Sequence, residues 1–124
     1  MKKVSAYQKE ILEVLEKSGK PLTAKEIYEE MENRPDFSTV YRGLHHLENK
    51  EYIRSVTLFD HISLFFLKEK KHQHFIYCRN CKKIDCFDKC FAKEIEDSVQ
   101  KNLNYRIFDH FFYFSGLCQK CAEL

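Results

Sequence analysis

Apolar side chains recur every three to four residues through the first fifty positions of this chain, the period of amphipathic helices. Tyr7, Ile11, Val14 and Leu15 form one stripe of a helix over residues 5–17, which Ser18-Gly19-Lys20-Pro21 ends. Thr23 is the N-cap of a second helix, because Glu26 stands three residues on and completes a capping box. Ala24, Ile27, Tyr28 and Met31 are its inner stripe, and Asn33-Arg34-Pro35 breaks it. A third helix, capped by Asp36 or Ser38, runs to about residue 49 with Val40, Leu44 and Leu47 inward. Residues 52–58 and 61–68 are β-rich runs on either side of Phe59-Asp60, a hairpin. Three helices and a hairpin make a winged helix, with the third helix in the recognition position.

The polar run Lys68-Glu69-Lys70-Lys71 ends this pattern and sets a boundary between residues 1–69 and residues 70–124. The second half predicts strands over 72–77 and 82–87, then a helix over 91–102 with Phe91, Ile95, Ser98 and Val99 on one side. A long strand over 105–114 follows. The predicted class is α+β: an N-terminal winged helix, then a C-terminal α/β domain. Eleven Phe and seven Tyr without a Trp are many aromatics for 124 residues. The run 108–114 predicts a strand with at least one face packed, against its own domain or a second subunit.

Chemistry enters with two Cys-x-x-Cys pairs, Cys78/Cys81 and Cys118/Cys121. Each pair places two thiolates on one turn to face one ion, and two pairs close a tetrahedral zinc shell. A closed shell leaves no open position, so this zinc is structural, and the duplicated spacing argues against two disulfides or unrelated thiols. Each half is near the size at which an apolar core alone is marginal, which gives a metal clamp a purpose. No signal-peptide pattern opens the chain and no apolar run is long enough to span a bilayer. The six cysteines are therefore expected to be reduced thiols in the cytoplasm. The formal charge is +2, and residues 1–70 hold 12 basic and 12 acidic side chains, so any nucleic-acid surface must be a local patch. No nucleophile–base pair or open-site zinc motif is present, and neither an enzyme nor a small-molecule substrate is expected.

The third helix is where such a patch would lie. With Val40, Leu44 and Leu47 inward, Ser38, Thr39, Tyr41, Arg42 and His45/His46 face outward or sideways. Hydroxyls and an arginine at a helix start suit phosphate oxygens, where the N-terminus adds positive potential. Arg42 also has the reach for a guanine edge in the major groove. The same composition equally describes an ordinary exposed face. In the second half, His72 and His74 share one strand face. A third imidazole and a carboxylate would complete an N₃O shell suited to zinc, iron, manganese or cobalt. Three surface histidines are the alternative.

Thr39-Val40-Tyr41-Arg42, followed by a leucine-rich turn, resembles the recognition helix of the ferric uptake regulator family of metal-dependent repressors. His72-x-His74, Cys78-x-x-Cys81, His110, Gly116 and Cys118-x-x-Cys121 follow in that family's order and approximate spacing, so the resemblance covers residues 5–121. It implies a winged-helix DNA-binding domain over 1–69 and a zinc-stabilised dimerisation domain over 70–124. It also implies a homodimer whose binding to double-stranded operator DNA is under metal control. By position, Cys78, Cys81, Cys118 and Cys121 are the structural zinc ligands, and Ser38, Thr39, Tyr41, Arg42 and His45 fall on the DNA-contacting helix. His72 and His74, six and four residues before Cys78, join a helical glutamate and His110 in a second metal site. Ungapped counting puts the glutamate position on Lys93, so Glu94 is taken as the carboxylate, with Glu96 behind it.

The chain departs from the family at another site, the one that joins the two domains and is most often credited with sensing. Its histidine positions, five and three residues before Cys78, are Gln73 and Phe75 here. The position before the second helix is Pro21, and the carboxylate expected five residues after Cys81 is Cys86. That site is expected to be lost or rebuilt. Cys86 and Cys90, spaced i, i+4, are thiolates for a rebuilt site, a redox pair, or small buried side chains. Lys82 stands where a glycine is common.

The expected protein is a cytoplasmic, homodimeric, metal-responsive repressor with structural Zn2+ and a second divalent metal, Zn2+ before Fe2+. That second metal is expected to set the angle between two winged helices, placing both recognition helices in successive major grooves about 34–36 Å apart. Two alternatives stand beside it. One is a winged-helix regulator with purely structural zinc and no sensing; the other is a metal-buffering or interaction module without specific DNA binding.

Overall fold

The computed structural model describes residues 4–58, 61–68 and 74–123. The Phe59-Asp60 turn, the charged boundary after Lys68, His72 and Gln73 lie outside the described residues. The chain divides into two compact units, Met1–Lys70 and Lys71–Leu124.

The first unit runs α1 (Ala6–Ser18), α2 (Ala24–Glu30), α3 (Phe37–Asn49), β1 (Ile53–Thr57) and β2 (Ser63–Leu67). Ser5 and Thr23 cap α1 and α2 as full capping boxes, with Gln8 and Glu26 answering back to the cap N–H groups. Gly19 ends α1 with φ 69, a left-handed conformation in which glycine avoids a Cβ clash. The stripes of the three helices meet in one core: Ile11 and Leu15, Ile27 and Met31, then Val40, Leu44 and Leu47, closed by Leu22, Ile53 and Phe65. Val40, Leu44 and Leu47 have no exposed surface, and burying each contributes about 1.5–3 kcal/mol. Gly43 lets α1 approach α3, since a Cβ there would stand 2.5 Å from the Tyr7 ring.

The hairpin is antiparallel, in register from Ile53↔Leu67 to Thr57↔Ser63. Leu22 and Phe65 exchange backbone hydrogen bonds of 3.0 and 2.8 Å, which ties β2 to the segment before α2. Helix, turn, helix and a tethered hairpin are the winged helix expected from the sequence.

The second unit is a three-stranded sheet, order β4-β3-β5, with two helices. Its central β3 (His74–Cys78) pairs antiparallel with β4 (Ile84–Phe87) and parallel with β5 (Tyr113–Gly116). The helices are α4 (Ala92–Leu103) and α5 (Gln119–Ala122), the latter a single turn that the sequence pattern did not predict.

Two expectations need correction here. The predicted long strand over 105–114 is strand only from Tyr113, paired from Phe75↔Tyr113 to Cys78↔Gly116. Asn104 turns left-handed (φ 59) after α4, and the Ile107 N–H donates to Gln100 Oε1 at 2.8 Å rather than to a neighbouring strand. Apolar runs report a tendency to avoid water, but a strand also needs a partner ladder beside it. The second correction concerns the apolar stripe of the 91–102 helix. Phe91 and Ile95 are 73% and 65% exposed within this chain, and the residue α4 buries is Ala92. Among the described residues no helix is long and apolar enough to cross a membrane.

Candidate metal centres

Strand β3 supplies one ligand-bearing residue to each of two clusters, His74 at its first position and Cys78 at its last. Four residues apart on a strand, they share a face but stand about 13 Å apart along it.

The first cluster is Cys78, Cys81, Cys118 and Cys121, whose sulfurs all lie within 4.8 Å of one another. Two tight turns present them. After β3 the chain doubles back, with the Cys78 N–H donating to Lys83 O and the Lys82 N–H to Cys78 O. Lys82 takes a left-handed φ of 69 to make that turn, the conformation that gives glycine its advantage at this position. On the other side, Cys118 stands at the N-cap of α5, and Cys121 is one turn on. Cys81 Sγ and Cys118 Sγ are 3.8 Å apart. Two sulfurs on a tetrahedral zinc with bonds of about 2.3 Å would be separated by about 3.8 Å. The donor set and its spacing fit zinc, with no position left open.

The electrostatics of the four sulfurs are unequal. The Cys118 N–H, donating to Cys78 Sγ at 3.4 Å, and the Cys81 N–H hold the Cys78 thiol down to about 6. The backbone and thiol of Cys121 lower Cys118. The Asn80 amide donates to Cys121 Sγ at 3.3 Å and favours its thiolate. Cys118, burial and the other two cysteines outweigh it and push Cys121 up to about 11. Four thiolates cannot crowd together without a compensating cation, so binding one at neutral pH displaces a proton from Cys121.

The second cluster is His74, Cys90 and His110, again with donor atoms within 4.8 Å. His74 is buried, its ring stacked on Phe112 at 3.8 Å and on His110 at 5.3 Å. Cys90 lies between β4 and α4, and His110 lies in the irregular stretch before β5. His110 Nε2 is 3.2 Å from Cys90 Sγ, and its Nδ1 is 2.8 Å from Glu96 Oε2. His74 and His110 are thus brought together as the sequence expected, while His72 lies outside the described residues. Glu94 is not among the residues brought together: it is exposed on α4, and Glu96 faces His110 instead. The reason is helical phase. Glu96 stands four residues from the buried Ala92 and shares its face, whereas Glu94 points nearly opposite. Cys90 was singled out only by its spacing from Cys86, which belongs to neither cluster. Cys86 sits in the β4 ladder opposite Phe75.

The predicted DNA-contact residues lie on α3 as the period required. Ser38, Tyr41, Arg42 and His45 are exposed and Thr39 is partly so, above the enclosed Val40, Leu44 and Leu47. Arg42 Nη2 donates to Thr39 Oγ1 at 3.3 Å, and Tyr41 meets the His45 ring edge-on at 4.7 Å. The Thr39 and Ser38 hydroxyls hold the Asp36 carboxyl below its usual range at the start of the helix.

A winged helix followed by a cysteine-clamped α/β unit is the architecture of metal-dependent transcription regulators. The chain matches the ferric uptake regulator family over residues 2–115, and it belongs to that family. It is 25% identical over 114 residues to the ferric uptake regulation protein of Bacillus subtilis, covering 87% of this chain and 76% of that protein. It is 28% identical over 126 aligned residues to the peroxide-responsive repressor PerR of Staphylococcus aureus, covering 98% and 83%. The structure of the Helicobacter pylori ferric uptake regulator Fur, described with three functional metal-binding sites, superposes with TM-score 0.81 at 26% identity. That likeness covers 98% of this chain and 83% of the other. Members of the family are transcriptional regulators rather than enzymes.

Proposed function

We propose that this chain is a cytoplasmic, homodimeric repressor whose grip on operator DNA answers to a divalent metal, zinc before iron. The observation that carries the reading is the pair of unlike clusters on β3. The four-cysteine shell is closed and fits a resident zinc. The His74/Cys90/His110 cluster offers three described donors, so its metal has a shell to gain or lose. A metal there would tie β3 to the segments flanking α4. The Helicobacter pylori relative, with its three functional metal-binding sites, supports more than one metal in the fold.

The dimer reading rests on apolar surface. Phe91, Ile95, Leu103, Tyr105 and Phe108 are all more than 60% exposed on a unit of 54 residues. So many large apolar side chains left in water on so small a unit point to an interaction surface, and the family implies a second copy. On the first unit, Ser38, Thr39, Tyr41, Arg42 and His45 are the DNA-contacting residues we assign, with Arg42 the one that has the reach and charge for a phosphate or a guanine edge.

The test begins with selection of duplexes from a randomised pool by the wild-type protein. Arg42→Ala should then weaken binding to the recovered duplex by about 1–3 kcal/mol, roughly 5- to 150-fold. Metal content and dimer mass should not change. Unaltered affinity would remove Arg42 from the interface. Failure of the wild type to select any sequence, with weak and steeply salt-dependent binding, would favour an interaction module instead.

His110→Ala should lower metal content by one ion per chain on elemental analysis, sparing the cysteine zinc, and operator affinity should fall with it. One metal per chain in both proteins, with chelator-insensitive DNA binding, would leave a regulator whose zinc is purely structural.

A further inference from the structure

We infer that Cys90 is itself a metal ligand, so that the responsive centre is a His74/His110/Cys90 thiolate site rather than a shell of nitrogens and oxygens. Glu96 is its positioning carboxylate. This deepens the metal-responsive reading above and rests on it.

Distances come first. Zinc takes imidazole nitrogen at about 2.0–2.1 Å and thiolate sulfur at about 2.3 Å, which puts N and S about 3.6 Å apart across a tetrahedral ion. His110 Nε2 and Cys90 Sγ are 3.2 Å apart. An opening of a few tenths of an ångström between two partly exposed side chains would admit the ion. The third donor, His74, is on the rigid central strand, and its atoms complete a set within 4.8 Å.

Glu96 determines what His110 can offer. Its Oε2 stands 2.8 Å from His110 Nδ1, so the proton belongs on Nδ1 and the Nε2 lone pair points at Cys90 and the metal position. A carboxylate in that place orients a histidine ligand and raises its basicity without entering the shell. Aromatic rings wall the site: Phe112 stacks on His74, and Phe87 stands 5.9 Å from it. Such a wall limits water and strengthens the attraction between cation and thiolate.

The consequence is selectivity. A thiolate among imidazoles favours zinc or cobalt over manganese or iron(II), beyond the ordinary order of divalent affinities. Cys86 is not in the cluster: it pairs with Phe75, so its side chain leaves the sheet on the face opposite His74, and the i, i+4 spacing of the two cysteines is not a site in itself.

Cobalt(II) chloride is the probe, because thiolate ligation gives a sulfur-to-cobalt charge-transfer band in the near ultraviolet. The full-length protein carrying one equivalent of zinc is titrated with cobalt, together with Cys90→Ser, Glu96→Gln and His110→Ala. Expected for wild type is one cobalt per chain with both the charge-transfer band and visible d–d bands. Cys90→Ser should keep the d–d bands, lose the charge-transfer band and bind cobalt at least about tenfold more weakly. Glu96→Gln should keep the charge-transfer band while affinity falls about 10- to 100-fold. His110→Ala should take up no cobalt, and any band it shows measures exchange into the cysteine cluster, to be subtracted. Charge transfer persisting undiminished in Cys90→Ser overturns the proposal. So does wild-type cobalt uptake without charge transfer, in which case Cys90 only hydrogen-bonds His110 and the metal-responsive reading stands. No cobalt uptake by wild type removes the second metal and the proposal with it.

Discussion

Replacing Cys78 with serine is expected to unfold the second unit. Cys78 is 4% exposed, ends the central strand, and is the sulfur to which the Cys118 N–H reaches across from the opposite turn. Serine keeps the shape and loses the thiolate, since a hydroxyl does not ionise near neutral pH. Structural zinc contributes roughly 10–16 kcal/mol to the folding of small domains. A whole domain is stable by only about 5–15 kcal/mol. The unit buries few large side chains of its own, Phe75 and Tyr77 foremost, and leaves Ile95 and Leu103 of α4, with Tyr105 and Phe108 after it, exposed. The apolar burial among its described residues is too small to offset the loss. Elemental analysis should show no zinc at this cluster, and amide exchange in β3, β4 and β5 should become unprotected while α1 to α3 stay protected. A Cys78→Ser protein with wild-type protection in the sheet would show that the cysteines do not hold the unit together.

The second large effect should come from Leu44→Ala, beneath the outer face of α3. Leu44 has no exposed surface and belongs to the core that α3 shares with α1, α2 and the hairpin. Removing a fully enclosed leucine costs about 2–5 kcal/mol, the lost transfer term plus the cavity left behind. By hydrogen exchange, protected amides of α1 to α3 should then exchange about 30- to 5,000-fold faster. Metal content should be unchanged, because both clusters lie wholly in the other unit. Operator binding should weaken only where opening of the first unit becomes appreciably populated, which separates this variant from Arg42→Ala. Unchanged protection in α3 would mean that the stability of the first unit comes from somewhere other than this core.

These two variants mark where the physics of each half resides, and the halves were not equally legible. In the first unit the signals are local. Capping boxes at Ser5 and Thr23, a glycine stop at Gly19 and stripes at Val40, Leu44 and Leu47 all act within a few residues of themselves. The sequence therefore located the helices, the hairpin and the outward residues of α3. The four-cysteine cluster was equally readable, because the ligand spacing is itself the signature of the shell.

The second cluster was not, and the reasons are geometric. Counting along the chain falls on Lys93, which makes the neighbouring Glu94 the expected carboxylate, with Glu96 behind it. Which carboxylate reaches His110 depends on the phase of α4 over the sheet, and that phase put Glu96 inward beside Ala92. Cys90 and His110 are twenty residues apart, one on each side of α4, and neither belongs to a regular element. Their meeting follows from the packing of the loops at the head of β3. The same holds for residues 105–112, whose aromatic pattern promised a strand but found no ladder beside it. Sequence determined what each segment does by itself and which metal-binding chemistry two short motifs carry. Tertiary structure alone decided which distant side chains share a site, because helix phase and strand pairing are fixed by contacts the chain makes with itself only once folded.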